Sequence, residues 1–307
     1  MIAKHGLLLI LYMVLAVRVC SQEPDTRHLF YCNENKSVEQ IVILSQQNFL
    51  GWAIDNGRNF LVLYDQHRLP VDTLILGNNA THMLQHIWPI SHNKFYVHLL
   101  NRMGVCSVAN NRFSGCEYFT GKAGLPYIPL WQKNNRAVYV YADYTGRKQG
   151  RYKTHFVITE AGDHKIITKN LEDFGFYMRP DKTMFEFFVD NNKHELILPV
   201  EWAGSVAFIN ENDGSCTIKR IPLDKNRTKG FFYYYDYVHD QHYFMRHEEG
   251  KSTYGLFEIS RDFSYAKPVT ELDFIPGLIC GGHALKALPM KKSGKSFTCY
   301  YLMPLSR

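Results

Sequence analysis

The chain has no run of 18 consecutive apolar residues and no helical periodicity longer than two turns. The first absence excludes a full-length membrane-spanning helix, which needs about 20 such residues. The second excludes helical bundles and coiled coils, which depend on i, i+3, i+4, i+7 spacing. Compact catalytic and binding motifs are missing too. There is no G-x-S-x-G elbow, H-E-x-x-H helix, P-loop, C-x-x-C pair or EF-hand loop. Ser205, within Ala203-Gly204-Ser205-Val206-Ala207, lacks the second glycine of an elbow. These absences remove enzymes whose chemistry lies in one short segment, but not those that assemble a site from distant ones. Charge is modest, at 21% charged residues and +6 net, and does not by itself call for nucleic acid.

Aromatic residues are abundant. The 307 residues include 20 Tyr, 20 Phe and 4 Trp, within a 46% hydrophobic composition. Large rings suit pleated, half-buried surfaces, so the composition leans toward β structure. Near the N-terminus, Lys4 precedes an apolar run from Leu7 to Val17, which Arg18 ends. Val19 and Ser21 then supply the small residues that suit cleavage after Ser21. Residues 1–21 read as a secretory signal peptide, and residues 22–307 as a single mature domain with no membrane span. Removing Lys4 and Arg18 lowers the formal charge to +4.

Cys20 leaves with the leader. Cys32, Cys106, Cys116, Cys216, Cys280 and Cys299 remain, an even count suited to an oxidising compartment. Sequons at Asn35, Asn79 and Asn226 agree with a secreted, extracellular glycoprotein. Cys106 and Cys116 flank a turn at Asn110–Gly115, which predicts a hairpin disulfide.

A unit recurs along the chain: a short apolar segment, a tight polar turn, then a strongly apolar strand. Markers in those turns are Asn48, Asn93, Asn135, Lys182, Asp240 and Ser293, at intervals of 45, 42, 47, 58 and 53 residues. Most units add two further strands. Four short strands per unit at this period is the pattern of propeller blades. The expected fold is therefore an all-β propeller, with six blades preferred over five. Neither a WD dipeptide nor a Kelch double glycine recurs in register, since Gly281-Gly282 is the sole adjacent pair. The last unit is incomplete and His28–Cys32 lacks a partner, so an N-terminal strand would close the ring. That puts Cys32 beside Cys299 and predicts a second disulfide. Cys216 and Cys280 either pair or stay as thiols.

Candidate chemistry comes from several clusters. Asp55, Asn101, Asp143, Asp190 and Glu248 each follow a second strand, where loops gather on one face of a propeller. Converging there, they would form a ligand-binding site, hold calcium or supply an acid/base pair. The plainer reading is that Asp55-Asn56-Gly57 and Asp190-Asn191-Asn192 start turns. His82 with His86, and Asp236 with His239, Asp240, His242 and His247, are weaker metal candidates. Basic clusters at Arg147–Lys153 and Lys291–Lys295 fit solvated loop tips. The run Phe231–Tyr235 fits a buried inner strand. The functional expectation is a secreted propeller that binds a small ligand or an extracellular protein, and not nucleic acid. The alternative is a propeller hydrolase of glycosidic or phosphate bonds using axial carboxylates, with or without calcium.

Overall fold

The computed structural model describes residues 28–34, 38–45, 48–78, 84–99, 102–120, 127–133, 136–143, 153–160, 166–170, 188–190, 192–200, 204–210, 212–213, 215–222, 231–247 and 250–305. The predicted leader and the three sequons lie outside them. The elements are all strands. β1 (Leu29–Cys32) comes first. β2 (Gln40–Ile43), β3 (Phe49–Asp55), β4 (Arg58–Tyr64) and β5 (Pro70–Asn78) form one sheet. β6 (Leu84–Ser91), β7 (Lys94–Leu99), β8 (Arg102–Ala109) and β9 (Arg112–Thr120) form the next. A third holds β10 (Tyr127–Lys133), β11 (Arg136–Asp143), β12 (Lys153–Glu160) and β13 (Ile166–Asn170), described by backbone alone. Then come β14 (Phe188–Asp190), β15 (Glu195–Val200), β16 (Ser205–Asn210) and β17 (Cys216–Arg220). β18 (Phe231–Asp236), β19 (Gln241–His247), β20 (Tyr254–Ile259) and β21 (Ala266–Leu272) follow. The closing sheet combines β22 (Ile279–Cys280), β23 (His283–Lys292) and β24 (Lys295–Pro304) with β1, in the order β1-β24-β23-β22.

Among the described residues there are thus six four-stranded antiparallel sheets, five of them meanders and the sixth a three-strand meander completed by β1, arranged as a β-propeller. The chain makes its tight turns where the sequence supplies residues tolerant of positive φ. Asn56-Gly57, Asn110-Asn111, Gly281-Gly282 and Ser293-Gly294 each place two consecutive residues at positive φ between paired strands. Two such residues make the primed turn whose twist matches flanking strands.

Closure follows the expected route. β1 pairs antiparallel with β24, and Cys32 sits opposite Cys299, to which it is disulfide-bonded. Cys106 is the cross-strand partner of Cys116 and forms the hairpin disulfide. Its turn is narrower than expected, at Asn110-Asn111. Cys216 on β17 and Cys280 on β22 carry thiols on separate sheets.

Apolar clusters fill the wedges between sheets. Leu50, Leu61, Leu63, Phe95 and Val97 are buried between the β2–β5 and β6–β9 sheets. Tyr31, Phe49, Tyr64 and Tyr300 weld the closing sheet to the β2–β5 sheet. There Phe49 stacks on Tyr64 with ring centroids 4.6 Å apart, and the Tyr31 and Tyr64 hydroxyls lie 3.0 Å apart. Fully burying one such side chain contributes about 1.5–3 kcal/mol.

The phase of two repeats differs from the sequence expectation. In the fourth unit the first turn is at Asn192–His194, with His194 at positive φ, and Glu195–Val200 is a regular second strand. The expected turn at Pro180–Thr183 lies outside the described residues. In the closing sheet, Ser293-Gly294 joins the second and third strands, so the equivalent first turn is Gly281-Gly282.

Candidate functional site

The phase shift redistributes the recurring acids. Asp55 ends β3, a second strand, and is exposed beside its primed turn, opposite Arg58. Asp143 ends β11 opposite Lys153, with only its backbone described. Asn101 and Glu248 lie outside the described residues. Asp190 ends β14, a first strand. Consecutive antiparallel strands end at opposite edges of a sheet, so Asp190 lies on the other side of the ring from Asp55. Among the described residues no three His, Cys, Asp or Glu side chains gather as metal ligands.

Asp190 belongs instead to a network between the β14–β17 and β18–β21 sheets. It is 2% exposed and accepts the amides of Asn192 and Lys193. Lys193 Nζ lies 2.8 Å from Asp190 Oδ2 and donates to Asp240 Oδ1 at 2.9 Å. Burial opposes the charge on Lys193, but its bonds to Asp190 and Asp240 outweigh that and raise its pKa. Burial likewise opposes the charge on Asp240, and Lys193 outweighs it and lowers that pKa. Tyr235 donates to Asp240 Oδ1 at 3.1 Å. Beside it, His242 Nδ1 lies 2.5 Å from the Tyr233 hydroxyl, and its ring stacks on Tyr235. Desolvation, then the positive charge of Lys193, pushes the His242 pKa down to about 4. Every member has a partner, so the network is a lock between two blades.

Asp236 and His239 form a second lock. The Asp236 carboxylate takes His239 Nδ1 at 3.1 Å and reaches toward the closing sheet. His242 points the opposite way, toward Phe208 and Phe263. The stretch from Asp236 to His242 therefore divides between two wedges and does not converge. His82, Arg147, Lys148 and Arg151 lie outside the described residues, and of His86 and Lys153 only the backbone is described. Lys292 pairs with Glu34 at 2.8 Å on the surface.

What the strand pattern could not reveal is a cavity of about 350 Å³ at the hub. It is bordered by β2, β6, β14, β18 and β22, the innermost strands of five sheets, and by Leu285, Ala287 and Tyr300 from β23 and β24 of the closing sheet. Ile41, Val42, Ile87, Val189 and Ile279 supply aliphatic lining. Phe188, Phe232 and five tyrosines supply rings, most of them from the aromatic run on β18. Each of the five phenol hydroxyls is engaged elsewhere. Tyr233 meets His242, Tyr235 meets Asp240, and Tyr234 donates to the Pro276 carbonyl at 3.0 Å. Tyr300 donates to the Val38 carbonyl at 2.8 Å. Tyr237 shares its proton between the Ile43 and Leu44 carbonyls, tying the β18–β19 turn to the β2–β3 turn. Burial first, and the charge of Glu39 second, push the Tyr300 phenol up. With its hydroxyls committed, the hub offers an occupant an apolar, aromatic surface.

No family model matches the chain, and no curated protein matches its sequence. Solved structures match in fold. An oligogalacturonate lyase in complex with manganese is 7% identical with a TM-score of 0.49, covering 84% of this chain and 70% of that one. A structural genomics protein of unknown function from Bacteroides thetaiotaomicron is 11% identical with a TM-score of 0.49, covering 87% and 70%. The WD40 domain of SCAP from fission yeast is 12% identical with a TM-score of 0.38, covering 86% and 58%. The likeness goes no further than the fold, which the strand topology already establishes.

Proposed function

We propose that this protein is a secreted binding propeller whose hub cavity holds a small, largely apolar ligand. The carrying observation is the cavity itself, aliphatic and aromatic in lining, with every lining phenol hydroxyl bonded elsewhere. Its volume sits at the lower end of the roughly 300–1,000 Å³ range of small-molecule sites. The leader, the two disulfides and the three sequons support an extracellular setting, with glycans at Asn35, Asn79 and Asn226. Binding is favoured over hydrolysis because Asp190, the buried carboxylate among the described side chains of the expected set, is committed to Lys193 and to two amides.

The test uses the secreted, disulfide-intact full chain and the neutral fluorophore N-phenyl-1-naphthylamine. Fluorescence should saturate at one equivalent per chain. Gly277 lines the cavity, and a Cβ built on it meets open space. Gly277→Trp should therefore fill the cavity and abolish the signal while leaving the melting temperature near wild type. Fluorescence that fails to saturate, or that survives in Gly277→Trp, overturns the reading.

A further inference from the structure

Resting on that reading, we infer that the hub cavity selects a ligand with an apolar or aromatic body and a cationic head, an organic amine held through Glu39. Three observations carry it. First, Glu39 is the sole charged side chain among the described residues that line the cavity. Its backbone is fixed, because its amide donates to the Trp52 carbonyl at 2.7 Å. Its side chain is exposed, at the cavity mouth, and no lysine, arginine or histidine pairs with it among the described residues. A lone carboxylate at the rim of an apolar chamber repels anions and attracts cations, and among the described residues no counter-charge pairs with this one.

Second, the wall is rich in rings whose hydroxyls are spent. Tyr234, Tyr237 and Tyr300 donate to backbone carbonyls, so their protons are unavailable to a ligand acceptor. What they retain is the π-system, whose negative face favours an ammonium group. A ligand carboxylate or phosphate would find neither a cationic side chain nor a free phenol donor among these residues.

Third, position separates the two requirements. Glu39 leads into β2, and Ile41 and Val42 on that strand are buried in the lining. One ligand can thus place its charge at the wet rim and its body against the aliphatic and aromatic wall. Neither group has to be desolvated without a partner.

The experiment displaces bound N-phenyl-1-naphthylamine with three matched competitors at neutral pH and low salt: 2-phenylethylamine, 2-phenylethanol and phenylacetate. The amine should compete at least about tenfold better than the alcohol, and the anion should be weakest. The preference should shrink in high salt. Glu39→Gln should still bind the fluorophore but rank amine and alcohol within about twofold. If the fluorophore binds and the alcohol matches the amine, the inference falls while the cavity reading stands. A preference that persists in Glu39→Gln also overturns it, since the cation would be held elsewhere. If neither the fluorophore nor any competitor binds, by fluorescence or by direct calorimetry, the inference and the cavity reading fall together.

Discussion

The Asp236 carboxylate, at the end of β18, accepts the Gly282 amide of the closing sheet at 3.0 Å. It also takes the Gly281 amide at 3.0 Å, the Val238 amide at 3.1 Å and His239 Nδ1 at 3.1 Å, and it is fully buried. Gly281 and Gly282 both adopt positive φ, which turns successive amides toward one point. Two neighbouring blades are thus joined by one carboxylate. Asp236→Ala leaves those donors unmet and should cost about 3–5 kcal/mol. Asp236→Asn keeps an acceptor and should cost less, about 1–3 kcal/mol. Urea unfolding of the two variants checks the order, and equal losses would count against the charged latch.

His242 should give the protein an acid-sensitive stability. Its folded pKa is near 4 against an ordinary 6.5, with desolvation the main cause and Lys193 and Lys219 adding to it against Asp240 and Asp190. Between those values the unfolded chain binds a proton that the folded chain refuses. Stability is therefore full above pH 6.5 and declines as pH falls toward 4, by up to about 3 kcal/mol from this residue. Unfolding curves at pH 7, 6, 5 and 4 should show that slope. In His242→Gln the same interval should be flatter, even if the variant is weaker at pH 7.

The two disulfides should contribute unequally. Cys32 and Cys299 are 267 residues apart, whereas Cys106 and Cys116 are separated by 10. On the chain-entropy account, removing the first should cost about 5 kcal/mol and the second about 3 kcal/mol. Paired serine variants, melted under non-reducing conditions, test the ranking. A larger loss from the hairpin bond would show that residual structure in the unfolded chain dominates.

Gly104 on β8 faces Tyr118 across the β8–β9 pair. A Cβ there would stand 2.7 Å from Tyr118 Cδ1 and 3.1 Å from Val97 Cγ2. Gly104→Ala should therefore destabilise by about 1–3 kcal/mol through overpacking. Adding Tyr118→Ala should recover part of that loss, so the double variant will be less damaged than the sum of the singles.

Much of the architecture was legible in the sequence because its signals are local. Turn pairs such as Asn56-Gly57 and the apolar runs after them mark strands to within a residue or two. Closure was legible because His28–Cys32 lacked a partner and the last unit lacked a strand, and that match, rather than the cysteine count, singled out Cys299 for Cys32 among three possible pairings. The aromatic run at Phe231–Tyr235 was rightly read as an inner strand, with Tyr233 1% exposed. The fourth unit misled because its first turn follows Asp190 rather than preceding Met184, so the regular second strand Glu195–Val200 looked like an extra segment. That error moved Asp190 to the wrong edge of its sheet. Asp236 stood out as a metal candidate, and the Gly281-Gly282 pair as an isolated curiosity. Nothing in either segment says that they meet, because their union depends on how two sheets pack. The cavity was hidden for the same reason, since its wall is drawn from strands far apart in the chain.

The pairing of β1 with β24 sets an order on biosynthesis. Chains emerge at about 5–20 residues per second, so the 267 residues between Cys32 and Cys299 take roughly a quarter of a minute to a minute to make. Through that interval the earliest strand has no partner, and its thiol waits for one. The first part of the domain to be made is the last to be seated, and a nascent chain interrupted before Cys299 leaves an unclosed ring with a reactive cysteine at its open edge.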